Sequence, residues 1–177
     1  MPENSKKVKV EHGRIKAGEG SLIGNTGEYY VVAELLKRRI IAAQTPRNVI
    51  AFDILATNGN QTVKIRVKTK SAQYDHFQWN VKGDGSIFRM LGKKDDYMVL
   101  VNLKSGNERP DFFVVPTAII DKWLRDDFDK WVSTPGAKGQ QRSRENKGRH
   151  LKYHKYVDAL KKYQDAWESM FISKNKK

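Results

Sequence analysis

The chain has 177 residues and no cysteine, which excludes a disulfide framework, a thiolate zinc site and a cysteine nucleophile together. That length lets one domain bury roughly two-thirds of the surface its unfolded form exposes, so it folds without staples. With 34 Lys+Arg against 20 Asp+Glu the formal charge is +14, a field that attracts polyanions, nucleic acid first among them.

No window approaches a membrane span and no apolar run follows the N-terminus as in a signal peptide, so a soluble, cytoplasmic protein is expected. Residues 1–20 carry Lys6, Lys7, Lys9, Arg14 and Lys16 among glycines and polar residues, and read as a basic flexible arm. A domain over 21–172 and a frayed basic tail over 173–177 follow. Asn25 or Thr26 is suited to cap a helix whose first turn holds Glu28, where the helix dipole favours negative charge. Tyr29, Val32, Ala33 and Leu36, widened by Tyr30, Val31 and Leu35, predict a helix buried over much of its girth and ending near Lys37-Arg38-Arg39.

Residues 40–43 read as a short strand and Thr45-Pro46-Arg47-Asn48 as a turn. The run over 49–56 is an apolar strand interrupted by one charge, Asp53. Asn58-Gly59 signals a hairpin, after which Val63, Ile65 and Val67 alternate with Lys64, Arg66, Lys68 and Lys70. One face of that strand is core and the other a row of cations. Strands are predicted over 77–81, 97–103 and 112–115, then a helix opening at Pro116-Thr117 with Ile119, Ile120, Trp123, Leu124 and Phe128 inward. Residues 133–150 are polar and basic and read as a mobile loop. A last helix is predicted over 152–171, docking Tyr156, Leu160, Tyr163 and Trp167. The fold class is α/β or α+β, a single domain with a mixed central sheet flanked by helices.

Asp53 and Lys68 place an acid and a base-type residue on adjacent strands, with Glu28 reaching them from the first helix. Phosphodiester hydrolysis through Mg²⁺ or Mn²⁺ needs one or two carboxylates for the ion and a cation to orient the attacking water. Scattered histidines make no zinc site, and there is neither a Ser/His/Asp motif nor a phosphate-binding Gly-Lys-Ser/Thr loop.

Thr26-Gly27-Glu28, Phe52-Asp53-Ile54 and Ile65-Arg66-Val67-Lys68-Thr69-Lys70, spread over about residues 24–115, resemble the PD-(D/E)XK nuclease superfamily. The resemblance implies a restriction-endonuclease-like fold, Asp53 as metal-binding aspartate, Lys68 as catalytic lysine, Glu28 as first-helix glutamate, a divalent metal, and DNA as partner. It extends to bacterial members of unassigned function, in which a segment like Thr45-Pro46-Arg47-Asn48 precedes the aspartate strand and one like Val115-Pro116 follows the sheet. A homodimer is a further expectation, since many proteins of that fold dimerise. The chain departs from the pattern at Arg66, where the superfamily has Asp, Glu or sometimes Gln. An arginine cannot ligate a cation, so either Glu28 or Glu34 supplies the second carboxylate or metal binding is lost. Arg66, Lys64, Lys70 and Arg47 are the candidate phosphate contacts. The alternative to an endonuclease is a pseudo-nuclease that binds nucleic acid, or an acidic protein, through its basic face.

Overall fold

Alternation of apolar and basic residues makes Thr62–Lys70 (β3) the long strand at the centre of the molecule. The computed structural model describes residues 19–46, 51–89 and 96–171. Arg47, most of the N-terminal arm and the C-terminal tail lie outside the described residues.

The chain enters through α1 (Glu19–Lys37), then β1 (Ile41–Gln44), β2 (Ile54–Thr57) and β3. These three strands form an antiparallel meander, with Gly59 at φ 91° in the β2–β3 turn, a conformation that glycine adopts without strain. After β3 the chain leaves the sheet for β4 (His76–Asn80) and returns as β5 (Asp96–Asn102), parallel to β3, followed by antiparallel β6 (Asp111–Pro116). The sheet order is β1-β2-β3-β5-β6, a mixed sheet in a single α/β layer system. Then come α2 (Thr117–Ser133), β7 (Gly148–Lys152), α3 (Tyr153–Lys161) and a 3₁₀ turn, Trp167–Met170.

Two cores sandwich the sheet. On one face Val31 and Leu35 of α1 meet Ile54, Val63, Ile65, Val99, Val101, Phe112 and Val114, closed by Trp167 and Met170. On the other, Met98, Leu100, Phe113 and Val115 meet Phe77, Ile120, Leu124, Leu151 and Leu160. Strand β5 is therefore apolar on both sides.

Several expectations change. The first helix begins at Glu19, and Thr26 sits inside it, its hydroxyl donating to the Leu22 carbonyl at 2.8 Å instead of capping. Its buried stripe is narrow, Gly27, Val31 and Leu35, while Tyr29, Tyr30 and Leu36 are exposed. The 133–150 segment is built in: its end forms β7, which pairs with β4 from Asn80↔Gly148 to His76↔Lys152. The last helix breaks after Lys161 because the chain turns to cover the edge of β6. There Val114 N–H donates to Tyr163 O (2.8 Å) and Asp165 N–H to Phe112 O (2.9 Å).

Gly27 sets how closely α1 approaches β3. A Cβ there would lie 1.9 Å from Thr69 Oγ1, a β-branched side chain with little freedom to move. That hydroxyl is buried without a hydrogen-bond partner among the described residues, so its removal breaks no bond. We expect Gly27→Ala to cost about 1–3 kcal/mol in denaturant unfolding. In a Thr69→Ala background, where only the Thr69 Cβ at 3.0 Å is left in the way, the cost should shrink by about 1 kcal/mol or more, helped by the helix propensity of alanine over glycine.

Candidate active site

Asp53 stands immediately before β2 and its backbone is held on both sides. Its N–H donates to Ile65 O at 2.9 Å, and its carbonyl accepts from Thr45 N–H at 2.9 Å and Thr45 Oγ1 at 3.2 Å. The side chain takes a position usually filled by backbone: Val67 N–H donates to Asp53 Oδ2 at 2.7 Å. This fixes the carboxylate beside the strand segment between Arg66 and Lys68. Oδ1 accepts no hydrogen bond among the described residues. Burial pushes the Asp53 carboxyl above the usual range, against the pull of the Val67 N–H and the charges of Arg66 and Lys68.

Lys68 is displaced the opposite way. Burial pulls its ammonium below the ordinary lysine range and Lys82 adds to the shift, with Asp53 opposing. Its Nζ lies 5.7 Å from the Trp79 ring centroid on β4. Each of the pair is held in its less comfortable ionisation environment, and each partly relieves the other.

Glu28 comes from α1, one residue past the close contact at Gly27, and Gln44 Nε2 of β1 donates to its Oε2 at 3.0 Å. Glu28 and Asp53 line one cleft of about 360 Å³ with Asn25, Gln44 and Thr45. Glu34 is elsewhere, engaged by Arg38 and, at 3.3 Å, by Arg109, which also holds Asp165 at 2.9 Å.

The cations of β3 are used differently from the expected solvated row, because β4, β7 and α2 cover that face. Arg66 is 7% exposed and forms a bidentate pair with Asp96, Nε to Oδ1 at 3.0 Å and Nη2 to Oδ2 at 2.9 Å. Its Nη2 also donates to the Arg89 carbonyl, and Thr117 Oγ1 donates to Asp96 Oδ1 at 2.6 Å. Lys70 is buried too, donating to Tyr74 O at 3.0 Å and lying 5.0 Å from the Tyr153 ring centroid, with burial lowering its pKa. Lys64 is half-buried and paired in register with Asp96. Asp96 is the residue that sequence reasoning missed; its only signal is an acid opening an otherwise apolar strand.

The carboxylates present suit a hard divalent cation that keeps most of its water: two of them on one cleft, one with an oxygen open and a buried charge that a cation would relieve. Among the described residues no group of three His, Cys, Asp or Glu side chains stands ready for a metal.

No family model and no curated protein matches the chain. Among solved structures it shows a weak likeness of overall fold to the bacterial homing endonuclease I-Ssp6803I, 16% identical with a TM-score of 0.43, covering 84% of this chain and 88% of that one. A second is Hjc, a Holliday junction resolvase from the archaeal hyperthermophile Archaeoglobus fulgidus, 14% identical with a TM-score of 0.40, covering 76% and 87%. No described helix is long and apolar enough to cross a membrane.

Two outcomes are expected. An acid whose folded pKa is raised holds its proton more tightly when folded, so its burden on stability is absent below the unfolded pKa and complete above the folded one. Asp53→Asn, which keeps an acceptor for Val67 N–H, should therefore raise the melting temperature at pH 7, with the gain vanishing below the ordinary aspartate value of 3.8. A gain independent of pH would contradict it. For the buried pair, Arg66→Met or Asp96→Ala alone should each cost about 3–5 kcal/mol, whereas Arg66→Met with Asp96→Leu recovers most of the loss in chemical denaturation.

Proposed function

We propose that this protein is a metal-dependent endonuclease-like protein that hydrolyses phosphodiester bonds in DNA. The observation that carries the reading is Asp53: a half-buried, desolvated carboxylate with one oxygen unbonded among the described residues, sharing its cleft with Glu28 and its field with Lys68. Asp53 and Glu28 are the side chains that would hold Mg²⁺ or Mn²⁺. Held there, such an ion would acidify a water and draw charge from the phosphate.

Lys68 donates a hydrogen bond to the attacking water or to a non-bridging phosphate oxygen, orienting the oxygen that bonds to phosphorus as the bridging P–O bond breaks; the attacking water gives up one proton to solvent and the leaving oxygen takes one up. The products are a hydroxyl and a phosphate monoester. Burial lowers the hold of Lys68 on a proton relative to a surface lysine, so its ammonium donates more readily. Arg66, neutralised by Asp96, leaves the positive field at Asp53 weaker than the sequence implies. Lys64 of β3 and Arg47, which precedes β2 in the sequence, remain the proposed phosphate contacts. The +14 charge draws the polyanion in.

A second reading, a pseudo-nuclease that binds nucleic acid without cutting it, is favoured by Arg66 standing where the resemblance calls for a carboxylate. The two readings separate in one set of measurements. The first expects cleavage of linear, supercoiled, branched or single-stranded DNA with Mg²⁺ or Mn²⁺, abolished by Asp53→Ala and Lys68→Ala. Mn²⁺ binding by calorimetry should weaken roughly tenfold or more in Glu28→Gln, since affinity follows ligand charge. No cleavage of any of these and no Mn²⁺ binding would sink it. Binding in EDTA that falls steeply with salt would then stand for the second.

A further inference from the structure

On the face of the sheet away from α1, the end of α2, the 134–147 segment and β7 enclose a cleft of about 420 Å³. It shares no lining residue with the Asp53 cleft. Its wall is a stack of four flat groups. Phe128 and Trp131 lie ring on ring at 5.7 Å and 21°. Arg149 covers Phe128 with its guanidinium carbon 3.3 Å from the centroid, and Arg142 lies 4.9 Å from the Trp131 centroid.

Main-chain carbonyls hold both guanidiniums in place. Arg142 Nη1 donates to Trp131 O at 3.1 Å, and Arg149 Nη1 to Asn146 O at 2.7 Å and Gly148 O at 2.9 Å. Neither arginine has a carboxylate ion partner among the described residues, and each guanidinium keeps further N–H donors beyond these bonds. Lys130 and Lys152, both exposed, add two more cations to the wall. The one acid lining the cleft, Asp127, is engaged by Lys155. Partial burial pulls Arg149 down from the usual arginine range, with Asp129 opposing and Arg125 adding to the shift. The loop itself is ordered by Gly136 N–H to Gln140 O (2.8 Å) and by Arg144 with Asp129 at 3.1 Å. The donors therefore stand in place before anything binds.

We propose that this cleft is a second anion site that takes a phosphate group of a nucleic-acid strand, with Arg142 and Arg149 as the forked donors and Lys130 and Lys152 completing the charge. A phosphate fits the forks and leaves the ring faces undisturbed, since all of them are already stacked. The choice of nucleic acid rests on the proposed function; the anion site does not. The phosphate is either a diester within the strand or a terminal monoester, and the two are told apart below.

The test uses the whole chain in EDTA, with short oligonucleotides carrying or lacking a 5′-phosphate, followed by anisotropy at fixed ionic strength. Arg142→Gln and the double change Lys130→Gln with Lys152→Gln should each weaken binding about tenfold, whereas Lys161→Gln, away from the cleft, changes it less than twofold. The double lysine change touches only exposed side chains, so it keeps the test clean if Arg142→Gln unsettles the loop. Tighter binding of the 5′-phosphorylated strand, with inorganic phosphate competing, supports a terminal monoester; equal binding of both strands supports a backbone diester. Cleft variants that bind as the parent protein does, or poly-glutamate competing as well as an oligonucleotide of equal charge, would overturn the proposal. Cleavage assayed separately with Mg²⁺ keeps the two readings apart. Lost cleft binding without any cleavage removes the nuclease and keeps this site, and cleavage with unaltered cleft variants does the reverse.

Discussion

Removing a guanidinium from water is tolerable only where its charge is matched and its donors are used, and at Arg66 both conditions are met by Asp96. The pair joins the middle of β3 to the first residue of β5. Through the Arg89 carbonyl and the Thr117 hydroxyl it also reaches the segment leading out of β4 and the first residue of α2. Four parts of the chain thus converge on one buried ion pair. The pair also settles the electrostatics of the neighbouring strand, because an arginine bound to Asp96 acts on Asp53 as half of a dipole and not as a bare cation.

Beside that anchor, Asp53 and Lys68 are placed at a cost to the fold. Both are desolvated, their pKa values move in opposite directions away from the ionised forms, and the Asp53 side chain stands in for backbone in bonding to Val67. Groups held this way concentrate at functional sites because chemistry needs them more than packing does. Gly27 belongs to the same design. Only a residue without a side chain lets α1 approach Thr69 closely enough for Glu28 to share a cleft with Asp53.

The positive charge is distributed by burial and not by strand alternation. Arg66 and Lys70 are absorbed into the interior, each with specific acceptors. Arg142, Arg149, Lys130 and Lys152, without a carboxylate partner among the described residues, sit instead on the far cleft, where the Phe128 and Trp131 stack orients the two flat guanidiniums. That cationic surface is therefore built partly from a segment with almost no apolar residues.

Read alone, the sequence determined what depends on near neighbours in the chain. The hairpin at Asn58-Gly59 brings Asp53 back against β3 two residues from Lys68, alternation puts Val63 and Ile65 in the core, and the long apolar run marks β5 as buried. The tertiary structure decided what depends on partners far along the chain. Arg66 meets an acid thirty residues later; β4 finds its partner in the basic segment over 148–152; and the expected last helix breaks at 162 because the edge of β6 needs hydrogen bonds more than the helix needs another turn. Local periodicity carries no record of these pairings, since a polar loop and a polar strand covered by another strand look alike until the covering strand is known. The Asp53 and Lys68 pair was visible because a hairpin encodes its own register, and the fate of Arg66 was hidden because the parallel register of β3 and β5 is set only when the crossover closes.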